Sequence, residues 1–346
     1  MKKVLLKCLK TICFLGIFCL IFLFFQELLR GKWYIDGKQN AATTSMFREY
    51  RSLEENTVEA LFIGTSHIYY GIDSMSMYEQ TGVISYGLGG PGLRMDLTYL
   101  GLKEALKTQK PKVVLLDMSA VHYTTQQKEA RIHMYSDELT LDAEKIEFAF
   151  DSESEELDPL GVMFPLIRYH SRWDKADLSD VKFMVGKNDD PPVRGHCVSY
   201  KQVPATLQFD KVKEKAVLTD RFLDYFDRIA QLCEEEGIEL VLFKIPTPGW
   251  SVSESQLSAG LAEKYGIPYL ELYYEMEKMG LNTETDFHDA SDHLNQYGAQ
   301  KLAGYLGNYL TENYGLEDYR GKNERWDKDL EEYNKYLEEK LKKESE

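Results

Sequence analysis

Residues 59–67 read EALFIGTSH, and this stretch decides the fold. The apolar run over 59–63 predicts a buried β-strand that ends at Gly64. Ser66 follows directly, and an open α/β sheet binds its ligands beyond the carboxyl ends of its strands. A serine at this position also suits the cap of a following helix. Gly64-Thr65-Ser66-His67 alone therefore leaves a functional and a structural interpretation open.

Outward from this strand, short apolar runs alternate with amphipathic ones. Four further strands are predicted at 83–86 (VISY), 113–116 (VVLL), 238–245 (IELVLFKI) and 268–272. The spacing of apolar residues predicts helices at 93–109, 222–237, 257–265 and 295–314. Near-continuous apolar strands separated by helices predict an α/β fold. We expect a doubly wound, flavodoxin-like sheet of five parallel strands, covered on both faces.

The domain organisation follows from where this alternation holds. Residues 58–315 form the predicted α/β domain, and the polar residues 33–57 form a stalk before it. The alternation breaks at about 120–215, which we interpret as an insertion packed over the carboxyl edge of the sheet. Residues 316–346 are charged, with interleaved aromatic residues, and predict an amphipathic helical tail that lies on the domain.

Residues 1–32 predict a transmembrane signal anchor. Residues 11–25 carry no charge, and the apolar stretch extends back past two lysines. About 20 residues of helix cross a hydrocarbon core of about 30 Å. A cleaved signal peptide is the alternative, but no small-x-small cleavage site follows. Four lysines precede the segment, so we expect a single-pass plasma-membrane protein with a cytoplasmic N-terminus and an extracytoplasmic main domain.

Charge and cysteine content exclude several classes of function. The formal charge is −16, and residues 1–32 contribute +5, which leaves −21 for the rest of the chain. Such an acidic domain repels phosphates, so we expect no nucleic acid partner. Cys197 and Cys233 are the cysteines of the soluble part, and no C-x-x-C spacing occurs. We expect two free thiols, with a bridge between them as the alternative, and no zinc cluster.

A second polar block lies directly before the closing helix. Residues 286–295 read DFHDASDHLN. A histidine with carboxylates just before it suits a general base with its orienting acid, which makes His293 the candidate base. Acidic residues that complement the dipole of the following helix are the alternative. That alternative does not account for the serine at the matching end of the first strand, so Ser66 is the candidate nucleophile.

These motifs, in this order, resemble the SGNH/GDSL hydrolase superfamily. The resemblance covers about residues 58–315 and rests on Gly64-Thr65-Ser66-His67, on a glycine loop after the second strand, and on an aspartate before His293-Leu294-Asn295. It is nearest to the membrane-anchored bacterial branch, with the DltD-like D-alanine transfer proteins and the alginate O-acetylation proteins. The resemblance implies that Ser66 is the nucleophile and His293 the base.

The resemblance also implies the donors of an oxyanion hole. These would be the amide of Ser66 and amides of the glycine loop, for which Gly87, Gly89 and Gly90 are the candidates. The superfamily's Gly-x-Asn-Asp block has no counterpart here, because the third strand ends in Asp117-Met118-Ser119. The asparagine that usually completes the oxyanion hole is therefore missing.

The acid partner of His293 is predicted from the spacing of the aspartates. The superfamily usually places the acid three residues before the histidine, and that position is Ala290 here. Asp292 is adjacent to His293, and adjacent side chains point apart. We therefore expect Asp289 to orient the imidazole across a single turn, with Asp292 as the alternative acid. Asp292 is expected at the start of the closing helix.

The glycine loop, residues 87–92 (GLGGPG), also matches the dinucleotide-binding pattern G-x-G-x-x-G, with Asp117 after the next strand. We favour a close backbone approach beside the nucleophile, because the expected topology places this loop outside the cytoplasm, where such dinucleotides are scarce. We expect no cofactor and no metal, since serine chemistry needs none.

Five further residues are predicted to contact the substrate. Arginine forks bind carboxylate or phosphate, and aromatic faces stack on sugar rings. The candidates are His67 beside the nucleophile, Arg168, His170 and Arg172 within the insertion, and Trp250 after the fourth strand. The alternatives are structural: arginines that pair with nearby acids, and a tryptophan that covers the core.

Together these features predict an acyl-ester hydrolase or acyltransferase. The expected substrate is an O-acetyl or similar ester on a cell-envelope glycan, such as a cell-surface polysaccharide or a teichoic acid. The resemblance suggests a membrane-bound acyltransferase as a partner that supplies the acyl group. The alternative is a non-catalytic accessory or glycan-binding protein with the same fold, and the missing Gly-x-Asn-Asp block favours it.

Overall fold

The computed structural model describes residues 2–31, 34–35, 38–39, 46–123, 129–151, 157–185, 190–211, 217–290 and 292–345. Of the predicted stalk, residues 33, 36–37 and 40–45 lie outside the described residues. The described part of the stalk contains an antiparallel pair of two-residue strands, Tyr34–Ile35 and Lys38–Gln39, and a short helix.

A five-stranded parallel sheet forms the centre of the fold. Its strands lie in the order β2-β1-β3-β4-β5 and every pair is parallel. The strands are β1 (Ala60–Gly64), β2 (Ser85–Gly89), β3 (Val113–Asp117), β4 (Glu239–Lys244) and β5 (Tyr269–Glu271). This order is that of the flavodoxin-like doubly wound fold, in which the chain reverses direction across the sheet between β1 and β3. The predicted fold class is confirmed.

The strands form where the sequence is continuously apolar. Every residue of β1, β2 and β3 is buried, as expected for a parallel sheet that is covered on both faces. Burial of each large side chain from water stabilises the fold by about 1.5–3 kcal/mol. The predicted strands agree with the observed ones within one to three residues.

Helices make up most of the remaining regular structure of the described residues. They are α1 (Lys2–Leu28), α2 (Met46–Arg51), α3 (Ser66–Gly71), α4 (Ser74–Thr81), α5 (Met95–Ala105), α6 (Glu129–Ser136), α7 (Ala143–Asp151), α8 (Pro159–Met163), α9 (Pro165–Tyr169), α10 (Leu178–Met184), α11 (Asp220–Glu236), α12 (Val252–Tyr265), α13 (Met276–Met279), α14 (Gln296–Tyr314) and α15 (Glu324–Ser345). Short 3₁₀ helices span Met118–His122, His170–Asp174 and Leu272–Glu275. The helices predicted at 93–109, 222–237, 257–265 and 295–314 correspond to α5, α11, α12 and α14.

The chain divides into two compact units. The first contains Met1–Lys32 and Leu141–Asp190, and the second contains Trp33–Thr140 and Pro191–Glu346. The sheet belongs to the second unit. The predicted insertion at 120–215 is thus shared between the units, and its helices α7 to α10 belong with α1. Helix α1 is long and apolar enough to cross a membrane.

The C-terminal tail is part of the second unit. Trp326 and Tyr333 of α15 are buried, and the Tyr333 hydroxyl donates to Asp73 Oδ2 at 2.9 Å. The buried guanidinium of Arg194 pairs with Asp329 of the same helix and lies 4.8 Å from the Trp326 ring centre. The aromatic residues that interleave with charges in the sequence are therefore the buried face of this helix.

No disulfide bond joins the two cysteines of the second unit. Cys197 and Cys233 are both buried. Burial raises the pKa of the Cys233 thiol to about 12. The expectation of two free thiols is confirmed.

Candidate active site

The turn after β1 places Ser66 at the carboxyl edge of the sheet. Gly64 has a φ of +145°, and a side chain there would lie 2.6 Å from Cβ of Asp117, so only glycine fits without strain. Thr65 caps α3, and Ser66 is the first residue of that helix. Because β1 lies between β2 and β3, the serine lies at the point where the strand order reverses.

Asp117, the last residue of β3, holds this turn in place. Its Oδ2 accepts hydrogen bonds from the Thr65 amide at 3.2 Å and the Thr65 hydroxyl at 2.5 Å. Its Oδ1 accepts from the amide and hydroxyl of Ser119 at 3.0 and 2.7 Å. A fully buried carboxylate with four donors fixes the backbone that carries Ser66.

Ser66, His293 and Asp289 form a continuous chain of hydrogen bonds. The Oγ of Ser66 lies 2.8 Å from Nε2 of His293, and Nδ1 of His293 lies 2.6 Å from Oδ2 of Asp289. A carboxylate only accepts, so Nδ1 carries the proton and Nε2 accepts the hydrogen bond that the serine hydroxyl donates. The sequence predicted all three residues, and the structure brings them together across 227 positions of sequence.

The loop before α14 determines where the imidazole lies. Phe287 and Leu294 pair in an isolated antiparallel bridge, and the amide of His288 donates to the carbonyl of His293 at 2.8 Å. Within this loop, Oδ1 of Asp289 accepts hydrogen bonds from the amides of Asp292 at 2.7 Å and His293 at 3.2 Å. The same carboxylate therefore closes the loop and orients the histidine. This loop allows an acid four residues before the histidine to reach its ring.

The hydrogen bonds to Asp289 also control its charge. Burial by itself would raise the pKa of the Asp289 carboxyl. The hydrogen bond from His293 and those from the amides of Asp292 and His293 outweigh burial and hold this pKa well below its usual value. Asp289 is therefore ionised at neutral pH and can stabilise a protonated imidazole.

Asp292 occupies a different position from the predicted one. The closing helix begins at Gln296, and its cap is Asn295, whose side chain accepts from the amide of Gly298 at 3.1 Å. Asp292 thus lies in the loop three residues before the cap, with Oδ1 beside Gly249. The expectation that Asp292 complements the helix dipole is wrong, because an uncharged asparagine takes that place.

His67 is buried beneath the site. Its Nδ1 lies 2.8 Å from the Thr65 hydroxyl, and its ring centre lies 5.6 Å from that of His293. Burial, followed by the nearby charge of Lys244, lowers the pKa of His67 well below its usual value, so the ring is neutral. The side chain is 5% exposed, against 7% for Ser66, and it packs against the turn; contact of His67 with substrate stays a prediction.

The glycine loop approaches the nucleophile closely, but two of its predicted donors are already engaged. A side chain at Gly89 would lie 2.7 Å from the Thr65 carbonyl, so glycine is needed beside the Ser66 turn. The amide of Gly87 donates to the Arg194 carbonyl at 3.3 Å, and that of Gly90 to the Gly64 carbonyl at 3.1 Å. These bonds contradict the prediction of Gly87 and Gly90 as oxyanion donors, and Gly89 is the remaining candidate.

Trp250 is a core residue. It is 1% exposed, and its indole N–H donates to Oε2 of Glu271 at 2.8 Å. Nζ of the buried Lys244 lies 5.1 Å from its ring centre, within the range of a cation–π contact. The prediction that Trp250 lines a sugar-binding cleft is wrong, because both its faces and its polar atom are used within the protein.

The predicted substrate residues of the insertion belong to the first unit. The guanidinium of Arg172 donates to the carbonyls of Leu29 and Arg30 at the end of α1 and pairs with Asp180 at 3.2 Å. These contacts give Arg172 a structural role within the first unit, and substrate binding by Arg172 stays a prediction. Arg168 stacks on Tyr169, with 5.6 Å to the ring centre, and His170 Nδ1 lies 2.7 Å from the Ile167 carbonyl. Substrate binding by Arg168 and His170 stays a prediction.

Three further residues of the site were not assigned a role from the sequence. Asp117 was noted only for the dinucleotide pattern. The phenol of Tyr69 is buried close to the Ser66 side chain, and burial raises its pKa. The Tyr70 ring lies 4.6 Å from that of His293 and limits where the imidazole can move. The one signal for the tyrosines is their position, three and four residues after Ser66, on the same short helix.

Comparisons with known proteins give distant structural likenesses. No protein-family model matches the sequence, and no curated protein matches it. The fold is similar to that of a structure described as a lipolytic protein of the G-D-S-L family from Desulfitobacterium hafniense, with a TM-score of 0.37, 8% identity, and coverage of 73% of this chain and 100% of that one.

Two structures from Bacteroides species are similar to the same degree. One is described as an acylhydrolase from Bacteroides fragilis, with a TM-score of 0.37, 9% identity, and coverage of 80% of this chain and 99% of that one. The other is a GDSL-like lipase from Bacteroides thetaiotaomicron, with a TM-score of 0.37, 9% identity, and coverage of 79% and 99%. At such low identity and TM-score, these similarities support no conclusion about activity. The proposed activity is argued from the geometry of the site.

Proposed function

We propose that the protein is an SGNH-type serine esterase or O-acyltransferase that acts on an ester of a cell-envelope glycan. The observation that carries the proposal is the unbroken chain of hydrogen bonds from Asp289 through His293 to Ser66. A nucleophile, a base and an orienting acid in these positions are the parts that acyl transfer through serine requires.

The proposed reaction proceeds through an acyl-serine. Oγ of Ser66 attacks the acyl carbon of the ester while Nε2 of His293 takes the hydroxyl proton. The C–O bond to the glycan then breaks, and the imidazolium returns its proton to the leaving alkoxide oxygen. Water completes the reaction in an esterase, and a sugar hydroxyl completes it in a transferase. Asp289 stays ionised throughout and stabilises the imidazolium.

The oxyanion of the tetrahedral intermediate needs hydrogen-bond donors. The Ser66 amide is the first. The glycine loop comes closest to the Ser66 turn at Gly89, where an added side chain would lie 2.7 Å from the Thr65 carbonyl, and we assign the Gly89 amide as the second. We assign the phenol of Tyr69, which follows Ser66 by three residues on α3 and is buried near it, as the third. In this assignment Tyr69 supplies the donor that the missing asparagine supplies in the superfamily.

The substrate class and location are inferred from the rest of the chain. Four lysines precede the uncharged residues 11–25 of α1, which favours a cytoplasmic N-terminus, and we therefore propose that the second unit lies outside the plasma membrane. Esters on cell-surface polysaccharide or teichoic acid are accessible there. A membrane-bound acyltransferase that supplies the acyl group is part of the proposal and comes from the resemblance to the DltD-like and alginate O-acetylation branch.

The second candidate is a non-catalytic accessory protein that binds the glycan or the acyltransferase. It is favoured by the absence of the Gly-x-Asn-Asp block, since Asp117 and Ser119 are both occupied with the turn. The hydrogen-bonded serine and histidine favour the enzyme, because binding alone requires no such alignment.

Hydrolysis of esters by matched serine variants tests the enzyme proposal. Ser66→Ala is expected to lower kcat/KM on a small acetyl ester by roughly 10³-fold or more, with unchanged circular dichroism. Ser85→Ala removes a buried hydroxyl that has no hydrogen-bond partner among the described residues, and it is the control with unchanged activity. Acetate release from an O-acetylated glycan, with and without an added sugar acceptor, separates esterase from transferase.

Full activity of Ser66→Ala on any ester that the wild type cleaves would contradict the mechanism. A folded wild type that cleaves no ester and binds the glycan would establish the accessory role.

A further inference from the structure

Exposed apolar side chains are concentrated in one part of the first unit. Among the described residues outside α1, twelve large apolar side chains are exposed, and nine of them lie within residues 141–190. These nine are Leu141, Ile146, Phe150, Leu160, Ile167, Trp173, Leu178, Val181 and Val185. Isolated exposed apolar residues are ordinary, but such a concentration marks an interaction surface.

The spacing of three of these residues shows that they form one face of a helix. Leu178, Val181 and Val185 are three and then four residues apart, so they form one stripe along α10 and the residue that ends it. The opposite side of α10 is held by buried Phe183 and Asp180. Leu178 is 79% exposed and Trp173, on the preceding 3₁₀ helix, is 74% exposed.

The same segment contacts the end of the apolar helix α1. The rings of Phe22 and Phe164 meet edge to face at 5.7 Å, and the Tyr169 ring lies against Gly31. Arg172 hydrogen bonds to carbonyls of Leu29 and Arg30, just past the last residue of α1. These contacts fix the segment 141–190 to the point where α1 would leave a membrane.

The charge of the segment decides which kind of surface it fits. Residues 141–190 contain thirteen acidic and six basic residues, so anionic phosphates of nucleic acid or of acidic lipids are repelled. The remaining attraction is apolar, with an exposed tryptophan of the kind that is enriched at membrane interfaces. Because α1 tethers the segment, the lipid around α1 is always within reach and no other partner needs to be recruited.

We propose that residues 141–190 form a membrane-docking segment that lies on the bilayer entered by α1. The apolar stripe of α10 (Leu178, Val181 and Val185) and the neighbouring Trp173 enter the boundary between headgroups and acyl chains, to a depth of about 5–10 Å. Helix α1 and this segment then form a two-part anchor. The proposal is independent of the enzymatic activity and of the side of the membrane on which the second unit lies.

Quenching of tryptophan fluorescence by bromine in lipid acyl chains tests this proposal on the full-length chain. The chain has four tryptophans, of which Trp250 and Trp326 are 1% exposed. Trp33→Phe removes the residue that follows the anchor in sequence and leaves Trp173 as the reporter. The protein is placed in vesicles of zwitterionic phosphatidylcholine at less than one copy per vesicle, so that no second copy can cover the segment.

The Trp33→Phe protein is expected to lose emission in brominated vesicles relative to plain ones, with the same loss at low and high salt. Adding Trp173→Phe should abolish the loss, and adding Leu178→Glu with Val181→Glu should reduce it. Val217→Glu changes a valine of the second unit that is as exposed as Leu178, and it should leave the loss unchanged. Unquenched Trp173 would overturn the proposal, as would shielding that occurs only at high protein density, which would assign the surface to a second copy.

Discussion

The edge of the sheet around Ser66 and the segment 141–190 depart from ordinary folding preferences in opposite ways. The sheet edge buries polar groups: Asp117 is fully buried, and Ser66 and His67 are nearly so. The segment 141–190 exposes apolar groups, with Trp173 and Leu178 the most prominent. Proteins bury polar groups only with partners and expose large apolar faces only for a purpose. We therefore propose a function for each region: chemistry at the sheet edge and membrane attachment for the segment.

The largest effect predicted within the sheet edge separates its two candidate acids. Asp289→Asn should lower kcat by roughly 10²–10⁴-fold, because the amide cannot stabilise the imidazolium and its NH₂ group can impose the wrong tautomer. Asp292→Asn is the matched control and should leave kcat nearly unchanged, because the Asp292 carboxylate does not contact the imidazole. Steady-state kinetics on a small acetyl ester measure both. The reverse ranking would transfer the orienting role to Asp292, and two unaffected variants would leave a Ser–His pair.

The next effect concerns stability of the turn that carries the nucleophile. Asp117→Ala leaves four donors without an acceptor and should lower the free energy of unfolding by about 2–5 kcal/mol. Ser119→Ala removes one of these donors and should cost about 1 kcal/mol. Denaturant unfolding of the purified chains gives both values. Equal and small losses would show that Asp117 does not hold the turn.

The smallest expected effect is a pH dependence of the free energy of unfolding that is caused by the buried carboxylate of Glu254. Burial opposes ionisation of Glu254, but hydrogen bonds from His122 and Ser251 prevail and lower its pKa from 4.5 to about 2. A lowered pKa in the folded state means that Glu254 contributes stability above about pH 4.5 and loses this contribution as the pH falls towards about 2.

Unfolding curves of wild type and Glu254→Gln across this range test that expectation. The wild type should be the more stable at neutral pH, and the difference should shrink on acidification. A difference that stays constant from pH 7 to pH 3 would mean that the Glu254 charge contributes nothing.

The sequence predicted the sheet edge well because its signals are local. Continuous apolar runs predict buried strands, and the residue after a strand lies at the sheet edge whatever the rest of the chain does. Ser66 was predicted in this way, whereas His293 was predicted from the carboxylates just before it and Asp289 from its spacing to the histidine. Trp250 was misassigned for the converse reason, since only the folded chain shows that Glu271 and Lys244 enclose it.

The segment 141–190 was interpreted less well because its partner is distant in sequence. The spacing of Leu178, Val181 and Val185 is indistinguishable from that of a core-facing helix until the contacts of the other face are known. Arginine is a residue type that often binds anions, but the guanidinium of Arg172 donates to backbone carbonyls about 140 positions earlier in the chain. Periodicity identifies an apolar face, and tertiary structure decides what the face meets.

The most direct test of the central claim is covalent capture of the nucleophile. The full-length protein is treated with a fluorophosphonate, which reacts with serines activated by a neighbouring base, and the adduct is located by peptide mass spectrometry. We expect one adduct, on Ser66, which disappears in Ser66→Ala and forms far more slowly in His293→Ala. An adduct on a different serine, or none on folded wild-type protein, would contradict it.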